Sequence, residues 1–170
     1  MNLISLLERP YTKAQANDIV NWIGNDQKRF DALLKIFLSE ETLLVQRASW
    51  PLSYCVANHP RLINKHYDRL INYLKATGKP AAIRRNILRA FDQLDPIPEN
   101  YHGELMDACF GFIEDPNEAI ASQAFALGIL SKFAKIYPEI KPELLLIVED
   151  RFPNAPPAFR SRAKKLLRKN

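Results

Sequence analysis

Apolar residues recur along nearly the whole chain at helical spacing. Ile19, Val20 and Ile23 form one stripe, and Phe30, Leu33, Leu34 and Phe37 a second. Leu62, Leu70, Ile71 and Leu74 form a third, followed by Ile83, Ile87, Ala90, Phe91 and Leu94. Leu105, Met106, Cys109, Phe110 and Ile113 mark a further segment. Intervals of three and four residues place each set on one face of an α-helix. No segment alternates apolar and polar residues as a half-buried strand does. The pattern predicts an all-α fold of nine or ten helices.

Punctuation between the stripes sets the expected boundaries. Thr12 and Gln15 have the spacing of a capping box, and Gly24 ends that helix. Asp26 is expected to cap the next helix, and Ser39 a third that Asn58-His59-Pro60 breaks. Pro51 lies inside that third helix, where a missing amide predicts a kink after Trp50. Gly78 closes the helix that starts near Pro60, and Pro80 opens one over 81–94. Asp95-Pro96-Ile97-Pro98 reads as a rigid loop. Asp115-Pro116 is expected to open a long helix reaching Ile136, followed by a shorter one over 142–152 and a basic terminal helix. Twelve prolines against five glycines fit this scheme, because the prolines fall largely where helices begin.

The helices also repeat. Helix-Pro-helix units recur over 45–74, 83–113 and 120–148, and the segment 57–62 is echoed at 135–140. That offset of 78 is two units of 39. The register aligns Ala48, Asn86, Ala126 and Ala163 in one column, and Leu52, Ala90, Leu130 and Leu167 in another. Small residues in the first column would let neighbouring helices approach closely; Asn86 breaks it.

Asp115-Pro116, Ile120, Ala124, Ala126-Leu127-Gly128 and Pro138 resemble the second helix of a HEAT repeat, and Ile83-Arg84 resembles the family's Val-Arg pair. Ala121 stands where the strongest such repeat would carry an arginine. The resemblance covers about residues 40–170. It implies a right-handed α-α superhelix forming a single domain over 1–170, with capping helices at 1–39, repeats at 40–152 and a basic cap at 156–170. It also implies a scaffold for protein partners, since such repeats mostly serve that role and a minority bind or repair DNA.

Charge and candidate chemistry refine this picture. Residues 159–170 hold six basic side chains (Arg160, Arg162, Lys164, Lys165, Arg168, Lys169) and no acid, whereas the remainder has 18 basic against 19 acidic residues. A basic end of this kind reads as an anion-binding arm or as the solvated cap of a solenoid. The repeat register makes Arg47, Arg85 and Arg162 equivalent, with Phe125 at the fourth place. Arg89 follows Arg85 by one turn, Trp50 and Tyr54 share a face with Arg47, and Lys165 extends the basic helix. If these residues line a concave face, they form a basic, aromatic-flanked groove for a partner. The other reading pairs the arginines with carboxylates of adjacent repeats and puts Trp50 in the core.

Enzyme signatures are missing from the sequence. His59, His66 and His102 have no metal-ligand spacing, and Cys55 and Cys109 sit apart among apolar neighbours as buried thiols. The glycines are scattered, and Asp92 and Asp95 are read as carboxylates of a solvated turn. The expected function is a non-catalytic module that binds a protein or peptide on its concave face, with no cofactor and no metal. A nucleic-acid binder that uses the arginine column and basic helix is the second reading. A third is resemblance to the HEAT-like alkylpurine DNA glycosylases, through Arg47, Trp50, Arg85, Arg89 and Asp92. The apolar runs are too short to span a membrane, and the N-terminus lacks a basic lead-in and a small-residue cleavage site. A cytoplasmic protein is expected.

Overall fold

Asn2, Thr12 and Asp26 each present a side-chain oxygen that accepts from the amide three residues later, at 3.1 Å in all three cases. These caps start the first three helices of a computed structural model that describes residues 2–168. They are α1 (Leu3–Glu8), α2 (Lys13–Ile23) and α3 (Gln27–Phe37). The Thr12–Gln15 box is only half closed, because the Gln15 side chain turns inward to the Leu6 carbonyl. Gly24 stops α2 with φ 50°, a conformation that favours glycine.

The next helices are α4 (Thr42–Asn58), α5 (Tyr67–Lys75) and α6 (Ala81–Gln93). α4 begins later than Ser39 predicts. Glu40 takes φ 67°, and the Ser39 hydroxyl accepts from Glu41 N at 3.4 Å, so no side chain caps this helix. α4 runs through the buried Pro51 to Asn58. Pro60–His66 forms 3₁₀ turns that lead into α5, and α5 ends before Gly78.

The chain divides into two compact units, residues 1–94 and 95–170. In the first, the pairs α1/α2, α3/α4 and α5/α6 each pack together, and α4 also packs against α2 and α6. α4 is thus the centre of the unit and buries Val45, Ala48, Leu52, Cys55 and Val56. Phe30, Phe37 and Phe91 are fully buried, and each is worth roughly 3–5 kcal/mol against truncation to Ala. All four residues of the α3 stripe are buried, as their spacing predicts.

The second unit contains α7 (His102–Glu114), α8 (Ile120–Ile136), α9 (Lys141–Arg151) and α10 (Pro157–Leu167). α8 packs against both α7 and α10. The Asp115-Pro116 start is displaced: Asp115 caps the C-terminus of α7, its carboxylate accepts from Asn117 N at 2.8 Å, and α8 opens only at Ile120. The repeat phase shifts accordingly. α8 belongs with the preceding α7, whereas the units drawn from sequence joined it to the following helix. Lys169 of the basic end lies outside the described residues, as does Met1.

The predicted small-residue column is buried throughout. Ala48, Ala126 and Ala163 are fully enclosed, and Asn86 fits by donating its side-chain amide to the Ala82 carbonyl one turn earlier, at 2.8 Å. In the second column Leu52, Ala90 and Leu130 are buried and Leu167 half-buried. Among the described residues there are ten α-helices and no strand.

Asp31 joins α3 to the 3₁₀ segment. Lys65 Nζ lies 2.5 Å from one of its oxygens, while Gln27 at 2.9 Å and His66 at 2.7 Å hold the other. Burial acts to raise the Asp31 pKa, but the hydrogen bonds from Lys65, Gln27 and His66 and the Lys65 charge outweigh it and hold the group at about 2. A depressed carboxylate pKa contributes stability that is present above its unfolded value and lost as pH falls toward 2. Asp31→Asn should therefore lower stability at neutral pH, and its gap to wild type should shrink between about pH 5 and 2. Urea denaturation across that range measures it; a gap independent of pH contradicts the assignment.

Candidate functional site

Every helix leaves its last carbonyls without intrahelical donors, and this chain answers many of them with long side chains. At the end of α1, Gln15 Nε2 donates to Leu6 O at 3.1 Å and Arg47 to Leu7 O at 2.8 Å. At the end of α7, Gln123 Nε2 donates to Asp115 O at 2.6 Å and Arg151 donates to Ile113 O. Arg151 also grips Gln123 Oε1 at 2.9 Å, so the clamp is itself tied together. Arg29 serves the Trp22 carbonyl with its guanidinium 4.6 Å from the Trp22 ring. Arg160 serves Phe152 O at 3.1 Å and Pro153 O at 2.7 Å. Arg47 therefore points into its own unit, on a backbone carbonyl rather than a carboxylate ladder.

Arg85 and Arg89 differ. They are one turn apart on α6 and make no ion pair or hydrogen bond among the described residues. Arg85 is exposed and Arg89 half-buried. Beside them lies an aromatic platform. Tyr11, in the turn before α2, stacks on Trp50 of α4 with ring centroids 4.7 Å apart and 28° between planes. Tyr54 lies one turn beyond Trp50, and all three rings are half-buried. Burial raises the Tyr11 phenol pKa; the Arg89 charge lowers it, Tyr54 raises it and Arg85 lowers it, leaving it above its ordinary value. Both guanidiniums are thus close enough to act on Tyr11.

The other two sequence-predicted residues belong to the second unit. The Arg162 guanidinium lies 5.3 Å from the Phe125 ring, so α10 and α8 bring together two members of one predicted column. Lys165 is exposed and borders an open hollow of about 430 Å³ with Pro157, Arg160, Ser161, Lys164 and Arg168. Arg160 is already committed to backbone carbonyls, which leaves the rest as a solvated basic face.

The two units also redistribute the charge that sequence assigned to the last helix. Residues 1–94 carry 14 Lys and Arg against 8 Asp and Glu, a net +6, whereas residues 95–170 carry 10 against 11, a net −1. The positive excess belongs to the unit that holds the aromatic platform.

Sequence reasoning placed Arg85, Arg89, Trp50 and Tyr54 on shared helix faces but missed Tyr11, which sits between Pro10 and Thr12 outside any stripe. One signal was available. Tyr11, Trp50 and Arg89 are spaced 39 and 39 residues apart, the repeat length itself.

The arrangement is suited to holding a partner. Cys55 is buried, which pushes its thiol up to about 12, and Cys109 is buried too. Asp92 lies in the last turn of α6 and is half-buried rather than fully solvated; Asp95, in the turn beyond, is exposed. Among the described residues no group of three or more His, Cys, Asp and Glu is placed to hold a metal, and no helix is long and apolar enough to cross a membrane.

A family model described as a HEAT repeat domain matches residues 3–170. The chain belongs to the HEAT repeat family. The match takes in α1 to α3, which the sequence motif did not reach, so the first helices are HEAT-like as well. No match was found among curated proteins or among solved structures. HEAT repeats in general mediate protein interactions.

The division of the arginines has a measurable consequence. Arg47→Ala should destabilise the HEAT domain by about 1–2 kcal/mol, because it strands a helix-end carbonyl. Arg85→Ala and Arg89→Ala should each stay within about 0.5 kcal/mol of wild type. Chemical denaturation of the three variants decides this; equal losses would remove the distinction between clamping and free arginines.

Proposed function

We propose that this HEAT domain is a non-catalytic interaction module that binds a protein partner on the face of its first unit formed by Tyr11, Trp50, Tyr54, Arg85 and Arg89. The observation that carries this reading is a pair of guanidiniums, without a carboxylate partner among the described residues, beside a stacked Tyr–Trp platform. Tyr, Trp and Arg dominate interface energetics, because each offers a large contact area with a polar handle. The family's general role agrees. The hollow on the basic face of α10 is lined by Pro157, Arg160, Ser161, Lys164, Lys165 and Arg168, with no aromatic side chain among them.

Affinity capture from cell extract tests it, with wild type compared against Arg85→Glu/Arg89→Glu and against Lys164→Glu/Lys165→Glu. A partner of the first unit is retained by the α10 variant and lost by the α6 variant. Identical captured sets for all three proteins contradict the assignment of this face.

A further inference from the structure

The geometry points to an extended acidic peptide, with carboxylates or phosphates on alternate residues, as the occupant of the Tyr11–Trp50–Arg85–Arg89 face. This rests on the interaction-module reading and specifies its ligand.

Spacing is the first argument. Side chains four apart on a helix start about 5–6 Å from one another. In an extended chain, alternate residues point the same way and lie about 6.6 Å apart. Two acidic groups two residues apart thus match Arg85 and Arg89, each of which offers a planar fork suited to a carboxylate or phosphate.

Competition is the second. Ion pairs of the unit such as Arg9 with Asp18, Arg29 with Asp26, Lys65 with Asp31 and Lys79 with Glu40 are internal. Among the described residues Arg85 and Arg89 have no such partner, so an incoming acid displaces none. The unit's net +6 draws anions toward it. The adjacent Tyr11–Trp50 stack supplies a flat surface for an apolar or aromatic residue next to the acidic pair.

The same structure disfavours a nucleic-acid strand. Tracking a phosphate backbone calls for a row of available cations. Here Arg47 and Arg29 are turned onto the Leu7 and Trp22 carbonyls, and the guanidiniums that act on Tyr11, those of Arg85 and Arg89, form a pair rather than a row.

Fluorescence provides the test. Trp22 and Trp50 are the only tryptophans, so Trp22→Phe makes Trp50 the sole indole reporter. The full chain carrying this change is titrated with a short synthetic peptide that has two glutamates two residues apart next to a phenylalanine. The phosphoserine analogue and a single-stranded oligo-dT of matching charge are titrated in parallel. We expect a saturable change in Trp50 emission with one or both peptides. Adding Arg85→Ala/Arg89→Ala should weaken it at least about tenfold, and Lys164→Glu/Lys165→Glu should leave it unchanged. Which peptide binds more tightly identifies carboxylate or phosphate as the source of charge. No saturable change with either peptide overturns the inference, as does tighter binding of oligo-dT or unchanged affinity in the arginine variant with intact circular dichroism. Patch-dependent protein capture combined with absent peptide binding overturns the peptide alone and leaves the interaction module standing.

Discussion

A fold cut into short helices must satisfy the backbone at every end, and that constraint organises this molecule. Among the described residues ten α-helices run from 6 to 17 residues, and only the first three have a side-chain N-cap. Helix C-termini are met by glutamines and arginines reaching across from other helices: Gln15 and Arg47 on α1, Gln123 and Arg151 on α7. The same solution appears independently in both compact units. Each clamp joins a cationic or amide donor to the negative end of a helix dipole. His102 does related work in the second unit, where Nε2–H donates to Ile97 O at 2.6 Å, since a carbonyl only accepts, and Nδ1 lies 2.8 Å from the Tyr137 hydroxyl.

These clamps also decide which arginines are available for function. Arg47, Arg85 and Arg162 look equivalent in the repeat register, yet they meet different fates. Arg47 bonds a backbone carbonyl, Arg162 lies over the Phe125 ring, and Arg85 has no partner among the described residues. A column in a repeat is thus a set of equivalent places, not of equivalent roles. The role depends on what lies opposite: a helix end for Arg47, an aromatic ring for Arg162 and, among the described residues, no carboxylate for Arg85.

The helical architecture was legible because period and punctuation agreed. The α3 stripe, the Asp26 cap, the Gly24 stop and the buried alanine column all follow from local rules. Failures arose where one residue had two competing partners. Asp115 reads as a helix start because Asp-Pro commonly is one, but its amide closes α7 onto Gly111 O and its carboxylate turns to Asn117. Ser39 bonds the Glu41 amide across a residue with positive φ and never reaches α4. Four of the five residues of the candidate face (Trp50, Tyr54, Arg85 and Arg89) were readable from helix faces. Tyr11 was not, because a turn has no periodicity, and the charge separation was not, because its boundary at Leu94 is a property of packing.

The central claim is that guanidiniums divide into those that clamp helix ends and those left for a partner. Nitrogen-15 NMR of the arginine Nε–H groups tests it directly, since rotation and solvent exchange of each side chain are read individually. Arg47, Arg151 and Arg160 should show restricted rotation about Nε–Cζ, because their terminal nitrogens are held by carbonyl oxygens, and Arg160 should also show a protected Nε–H, whereas Arg85 and Arg89 should rotate rapidly. Rotation at Arg85 and Arg89 as restricted as that at Arg47 would contradict the account.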